Sequence, residues 1–252
     1  MKSFACWVIV VLACAVGVRG TGEFSTDLAE LGTEVGQVSA QPTSVPNSAK
    51  SVENSPVPLT AILLLDTSAS VSRSAMLLDS RFAEIFNAFL FGLKAGDRSA
   101  VGVIAKGTRF TTLTSDRREM TAGVRGLLRV LDADRLGPSP IWDATDEALT
   151  LLEGEAGHRA VVLFTDGKAS GNLHGSTDVL DHARRAGVTI EAVIEGGGTR
   201  LVLQPESALD PADVVRRVAE GSGGHVWLDR PTNSRARNPA IWVTRIMEGL
   251  QR

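Results

Sequence analysis

A continuous apolar run at residues 61–65 is followed at once by Asp66, Thr67, Ser68, Ala69 and Ser70. A run of this length without polar alternation suits a strand buried on both faces, inside a parallel sheet covered by helices. A second strand-like run, Ala160 to Thr165, also ends at an acid, Asp166, followed by Gly167. Two strands that each deliver a carboxylate at the carboxyl end describe a site at the edge of an open α/β sheet. An Asp and two Ser at alternate positions converge three oxygens on one point, which suits a hard cation such as Mg²⁺. Taken singly, Ser70 or Ser72 also suits a helix cap, and Asp166 before glycine suits a turn. The pairing of the two acids, about a hundred residues apart, favours the metal reading.

The remainder, residues 59–252, alternates strand and helix patterns. Further strands are expected at 100–104, 110–113 (a hairpin partner), 188–194 and 225–228. Leu78, Phe82, Ile85, Phe89 and Leu93 repeat at the helical period, as do Met120, Val124, Leu127 and Leu131. Ile141, Ala144, Ala148 and Leu152 mark a third helix, and Val179, Ala183 and Ala186 a fourth that stops at Gly187. Asp210 before Pro211 reads as an N-cap with proline at the first helical position. Asn238 and Pro239 open a last helix carrying Trp242, Ile246 and Leu250. The expected fold is a doubly wound, mainly parallel six-stranded sheet with helices on both faces.

Residues 1–20 read as a signal peptide: Lys2, then an apolar stretch from Phe4 to Val18, too short to span a membrane comfortably. Residues 21–58 read as a flexible Pro- and Ser-rich linker, with Pro42, Pro46, Pro56 and Pro58. Both cysteines, Cys6 and Cys14, fall in the leader, so the mature domain is expected to have no disulfide. Export to the periplasm or exterior follows. Membrane contact is expected only through an uncleaved leader or a lipid on Cys14.

The net charge of −3 gives no basic excess for nucleic acid. Gly196, Gly197 and Gly198 lack dinucleotide-binding spacing, and no phosphate-binding loop motif occurs, so a nucleotide is not expected. The histidines lack zinc-ligand spacing and read as structural or surface groups. Lys168 could reach an anion near the metal but reads rather as a solvated surface lysine, Asp143 reads as a favourable charge at a helix N-terminus, and Trp142 and Trp227 as core.

The chain resembles the von Willebrand factor type A domains that carry a metal-ion-dependent adhesion site. Asp66, Ser68 and Ser70 match the family's DxSxS motif. Ser139, in the segment 137–144, stands at the family's metal-binding Thr. Thr165, Asp166 and Gly167 match its Thr-Asp-Gly, and residues 219–224 resemble its Ala-x-x-Thr-Gly-Gly. The match spans about residues 59–250 and extends in style to exported bacterial members. Two departures stand out: Ser139 keeps the hydroxyl but lacks the stiffening methyl of Thr, and Ala69 replaces the common Gly. The resemblance implies Mg²⁺ (or Mn²⁺ or Ca²⁺) ligated directly by Ser68, Ser70 and Ser139, with Asp66 and Asp166 acting mostly through water. It implies an open metal position that accepts an Asp or Glu carboxylate from a protein partner.

The expected function is therefore an exported, non-enzymatic binding module. One rival is a Mg²⁺-dependent phosphohydrolase with Asp66 as nucleophile. That chemistry wants a second carboxylate two residues on, where this chain has Ser68. The other rival is a metal-independent scaffold.

Overall fold

The computed structural model describes residues 57–68, 71, 75–134, 137–195, 210–229 and 240–252. The expected leader, nearly all of the expected linker, and the capping residues Ser72, Asn238 and Pro239 lie outside them. Six strands and six helices follow one another among the described residues. They are β1 (Leu59–Asp66), α1 (Ala75–Gly92), β2 (Arg98–Ile104), β3 (Thr108–Phe110), α2 (Arg117–Asp134) and α3 (Ile141–Leu152), then β4 (His158–Thr165), α4 (Ser176–Ala186), β5 (Thr189–Glu195), α5 (Pro211–Gly221), β6 (Val226–Asp229) and α6 (Ala240–Leu250). None of these helices is long and apolar enough to cross a membrane.

The strands form one sheet in the order β3-β2-β1-β4-β5-β6. Every neighbouring pair is parallel except β2 and β3. The chain winds outward from β1 in one direction, then restarts at β4 and winds outward in the other. The reversal falls between β1 and β4, and a doubly wound sheet opens its ligand crevice at the carboxyl ends of such a pair.

Side chains alternate across the sheet, so two cores form. Ile62 and Leu64 of β1 and Val161 and Leu163 of β4 pack with Ile141, Ala148, Val179 and Val215, under α3, α4 and α5. Leu59, Ala61, Leu63 and Leu65 pack the other way, with Phe82, Phe89, Met120, Val243 and Met247 from α1, α2 and α6. The even positions of β1 thus face α3. Continuing the alternation by one step puts the Asp66 side chain on that face, at the end of the strand.

Several local signals act as the sequence suggests. Gly187 ends α4 at φ 61°, a left-handed conformation that a side chain would strain. The Asp210 carboxylate accepts from the Ala212 N–H at 3.0 Å and caps α5 ahead of Pro211. The hairpin partner differs from expectation: β3 is Thr108–Phe110, not 110–113. The Val101 N–H donates to the Thr111 hydroxyl at 2.9 Å while the Thr111 N–H donates to the Val101 carbonyl. A side chain thus replaces one rung, and regular pairing stops at Phe110. At the far end of the sheet, buried Asp97 accepts from the Leu59 N–H at 2.9 Å and the Lys94 N–H at 2.7 Å.

His182 staples α4 to the end of α3. Its Nδ1 lies 2.7 Å from Asp146 Oδ1 and its Nε2 lies 2.8 Å from Glu153 Oε1. Desolvation alone would lower its pKa, but the two carboxylates outweigh it and raise the value above the ordinary 6.5. The staple therefore contributes fully below pH 6.5 and is lost as pH rises through the raised value. Denaturant unfolding of His182→Ala is expected to show a deficit on the order of 1 kcal/mol at pH 6, shrinking as pH rises through the raised value, the modest size reflecting Glu153's exposure.

Candidate metal site at the switch point

Asp66 ends β1, and its neighbours come from three segments. The register of β1 on β4 pairs Leu65 with Phe164, so Asp66 sits beside Thr165. The Thr165 hydroxyl donates to Asp66 Oδ2 at 2.8 Å, and the Ser139 hydroxyl donates to the same oxygen at 2.9 Å. The Ser68 N–H donates to Oδ1 at 3.0 Å. Asp66, Ser68, Ser139 and Thr165 are all buried. Beside them the Thr67 hydroxyl and N–H both donate to the Ile104 carbonyl, at 2.9 and 2.8 Å, which anchors the loop after β1 to the end of β2.

No cation reaches this carboxylate among the described residues; its donors are neutral hydroxyls and an amide. Burial therefore pushes the Asp66 pKa up, and the bonds from Ser68, Thr165 and Ser139 only partly offset the shift. A buried carboxylate without a cation is costly, and it is relieved by a proton or by a positive ion.

Ser139 is placed by two loops that hold each other. Its N–H donates to the Ser170 hydroxyl at 2.9 Å, and the Ser170 N–H returns to the Ser139 carbonyl at 2.8 Å. Gly137, two residues earlier, passes Lys106 so closely that a Cβ would sit 2.6 Å from the Lys106 Cα. The loop 166–175 is tied down further along. Pro140 gives α3 no side-chain cap, and the Trp142 N–H finds Asn172 Oδ1 at 2.7 Å instead. Asp143 accepts from the Leu173 N–H at 2.8 Å and the His174 N–H at 2.8 Å, with His174 Nδ1 at 3.0 Å. The role expected of Asp143 as a helix-terminal charge is thus joined by a second, as the clamp on this loop.

Asp166 lies one residue beyond Thr165. Its Oδ1 accepts from the Lys168 N–H at 3.0 Å and its Oδ2 pairs with Lys168 Nζ at 2.9 Å. Gly167 makes this turn at φ 81°. For Lys168 the sequence favours a solvated surface lysine over one that reaches an anion near the metal. Its side chain is 64% exposed, yet it is bound to the second carboxylate of the candidate site. The backbone turn that brings the Lys168 N–H to Asp166 also delivers its ammonium group, which spacing alone does not reveal.

The structure thus gathers Asp66, Ser68 and Ser139, and Asp166 follows directly on Thr165 in the chain with Lys168 as its partner. Ser70 and Ala69 lie outside the described residues. Thr165, which the motif comparison carried only as part of a match, is a direct partner of Asp66; the parallel register of β1 and β4 is the signal that finds it. Among the described residues no three His, Cys, Asp or Glu side chains gather as a metal site. The oxygens on offer are two carboxylates and a set of hydroxyls. This all-oxygen set, around a buried charge without a cation, fits Mg²⁺, Mn²⁺ or Ca²⁺ rather than a thiophilic metal.

No family model and no curated protein matches this sequence. Solved structures do match the fold. A von Willebrand factor type A protein from Catenulispora acidiphila aligns at TM-score 0.58 and 15% identity, covering 77% of this chain and 42% of that one. The conserved hypothetical protein BatB from Bacteroides thetaiotaomicron aligns at 0.55 and 14%, covering 76% and 98%. The pilus adhesin SpaC from Lactobacillus rhamnosus GG aligns at 0.54 and 10%, covering 77% and 30%. This chain has the von Willebrand factor type A fold. It spans less than half of the first and third of these proteins and nearly all of the second.

Two outcomes follow. Desolvation alone would raise the Asp143 pKa, but the bonds from His174 and Leu173 prevail and lower it below the ordinary 3.8. Its clamp therefore holds at neutral pH and fails only as pH falls through that lowered value. Asp143→Ala is expected to speed amide exchange at Leu173 and His174 about fivefold at pH 7, the equivalent of about 1 kcal/mol, as measured by NMR. Asp66→Asn removes a buried charge and is expected to raise the melting temperature in chelator, by on the order of 1 kcal/mol of stability.

Proposed function

We propose that this chain is an exported, non-enzymatic binding module that recognises a protein partner through a Mg²⁺-type ion. The observation that carries this reading is the buried Asp66 carboxylate, ringed by hydroxyls and lacking a cation. Ser68 and Ser139 would face the ion directly, as would Ser70 by resemblance. Asp66 and Asp166 would supply the negative charge around it. Neutral ligands leave a divalent ion strongly electrophilic, and octahedral Mg²⁺ takes about six oxygens. An open position then suits an Asp or Glu carboxylate of the partner, a contact that strengthens as water is excluded. The fold shared with a pilus adhesin supports a binding role. The expected leader, outside the described residues, supports export to the periplasm or exterior.

The phosphohydrolase reading fares worse. A nucleophilic carboxylate must present an oxygen to substrate, and Asp66 is 2% exposed with both oxygens already accepting hydrogen bonds.

The test is calorimetric titration of Mg²⁺ and Mn²⁺ into the purified protein, followed by selection of binders from a displayed peptide library in Mg²⁺. Saturable metal binding is expected, abolished in Asp66→Ala. Lys168→Ala is expected to tighten it up to about fivefold, because the ion no longer competes with an exposed ion pair. Selected peptides should each carry an Asp or Glu and release in chelator. Peptides that bind equally well in chelator would favour the metal-independent scaffold.

A further inference from the structure

The opposite edge of the sheet carries a second polar feature. A cavity of about 560 Å³ lies among Glu153, Gly154, Arg159, His182, Arg185 and Ala186. It opens where α3 and α4 end and β4 begins, at the end of β4 away from Thr165. It is broadly open to solvent rather than enclosed.

Cationic groups dominate its lining. The single acid, Glu153, already pairs with His182, whose other nitrogen pairs with Asp146. Neither Arg159 nor Arg185 has a carboxylate partner among the described residues. The Arg159 Nε is buried and has no hydrogen-bond acceptor. Its Nη2 lies 3.2 Å from the point where a Cβ on Gly187 would sit. The guanidinium therefore rests against the turn that directly follows Arg185 and Ala186. A guanidinium cannot shed its charge, and a buried N–H without an acceptor carries its desolvation penalty in full.

Two plainer accounts explain parts of this. Arg184 and Arg185 stand in the last turn of α4, where cations complement the helix dipole. That accounts for Arg185 but not for the buried Nε of Arg159. An internal water could accept from that Nε only if the side chains that seal it shift, and the pocket would still present two arginines against one carboxylate, Glu153. An oxyanion in this opening would meet the two guanidinium groups that line it, because its paired oxygens match the fork of an arginine.

The geometry points to a site for a small oxyanion, a phosphoryl or carboxylate group, held between Arg159 and Arg185. It lies at the other end of the strands from Asp66, so it stands or falls independently of the metal reading.

The experiment follows the Arg159 Nε–Hε resonance and the melting temperature of the purified protein. Inorganic phosphate is titrated at constant ionic strength, with acetate as a parallel arm and chloride as the control. A saturable shift with a rise in melting temperature is expected. Response to phosphate alone assigns a phosphoryl ligand; an equal or stronger response to acetate assigns a carboxylate. Arg185→Gln should weaken the response about tenfold, and Arg159→Gln should abolish the melting effect. Arg185 is exposed, so its variant decides the matter even if Arg159→Gln fails to fold. A response no different from chloride, or one unchanged in Arg185→Gln, would overturn the site.

Discussion

The carboxylate of Asp66 is the constraint around which the carboxyl edge of the sheet is built. A charge this deeply buried must be met by hydrogen bonds, a proton or a cation. The structure supplies only the first: hydroxyls of Ser139 and Thr165 and the amide of Ser68. Each donor demands its own placement. Thr165 requires β4 beside β1 in one register. Ser139 requires the loop before α3 to lie over the strand ends, and Ser170 holds that loop there through a reciprocal pair of bonds. Asp143 and Asn172 then fix the loop that carries Ser170 onward to α4. The site is thus one connected polar network above two apolar cores.

The fold was largely legible in the chain. Continuous apolar runs at 61–65 and 160–164 became the middle of the two central strands, because only strands covered on both faces tolerate such runs. The stop at Gly187 and the cap at Asp210 were readable because each acts within a few residues of itself. The edge strand begins two residues and ends three residues earlier than expected; it stops at Phe110 because a Thr111 hydroxyl took a backbone rung, and propensity does not register that substitution.

The site was legible in its residue types and less so in its connections. Strand-end spacing and the family resemblance named Asp66, Ser68, Ser70, Ser139 and Asp166. They did not disclose that Thr165 is the partner directly beside Asp66, which is a matter of strand register. Nor did they disclose that Lys168 sits on Asp166, or that Asp143 clamps a loop some thirty residues away in sequence. These contacts depend on the path of loops through space. The pairing of Lys168 with Asp166 gives the second carboxylate an internal cation, while Asp66 has none among the described residues. In the metal reading, an arriving ion meets one carboxylate that lacks a cation and one that must exchange partners.

The measurement closest to this account is anomalous diffraction from crystals of the protein grown with Mn²⁺. The account predicts one peak at the carboxyl end of β1, in contact with Ser68 and Ser139 and flanked by Asp66 and Asp166, with Lys168 turned away from Asp166. A well-ordered site with no peak there, the Asp66 carboxylate still bonded to Ser139 and Thr165 and Lys168 still on Asp166, would contradict it.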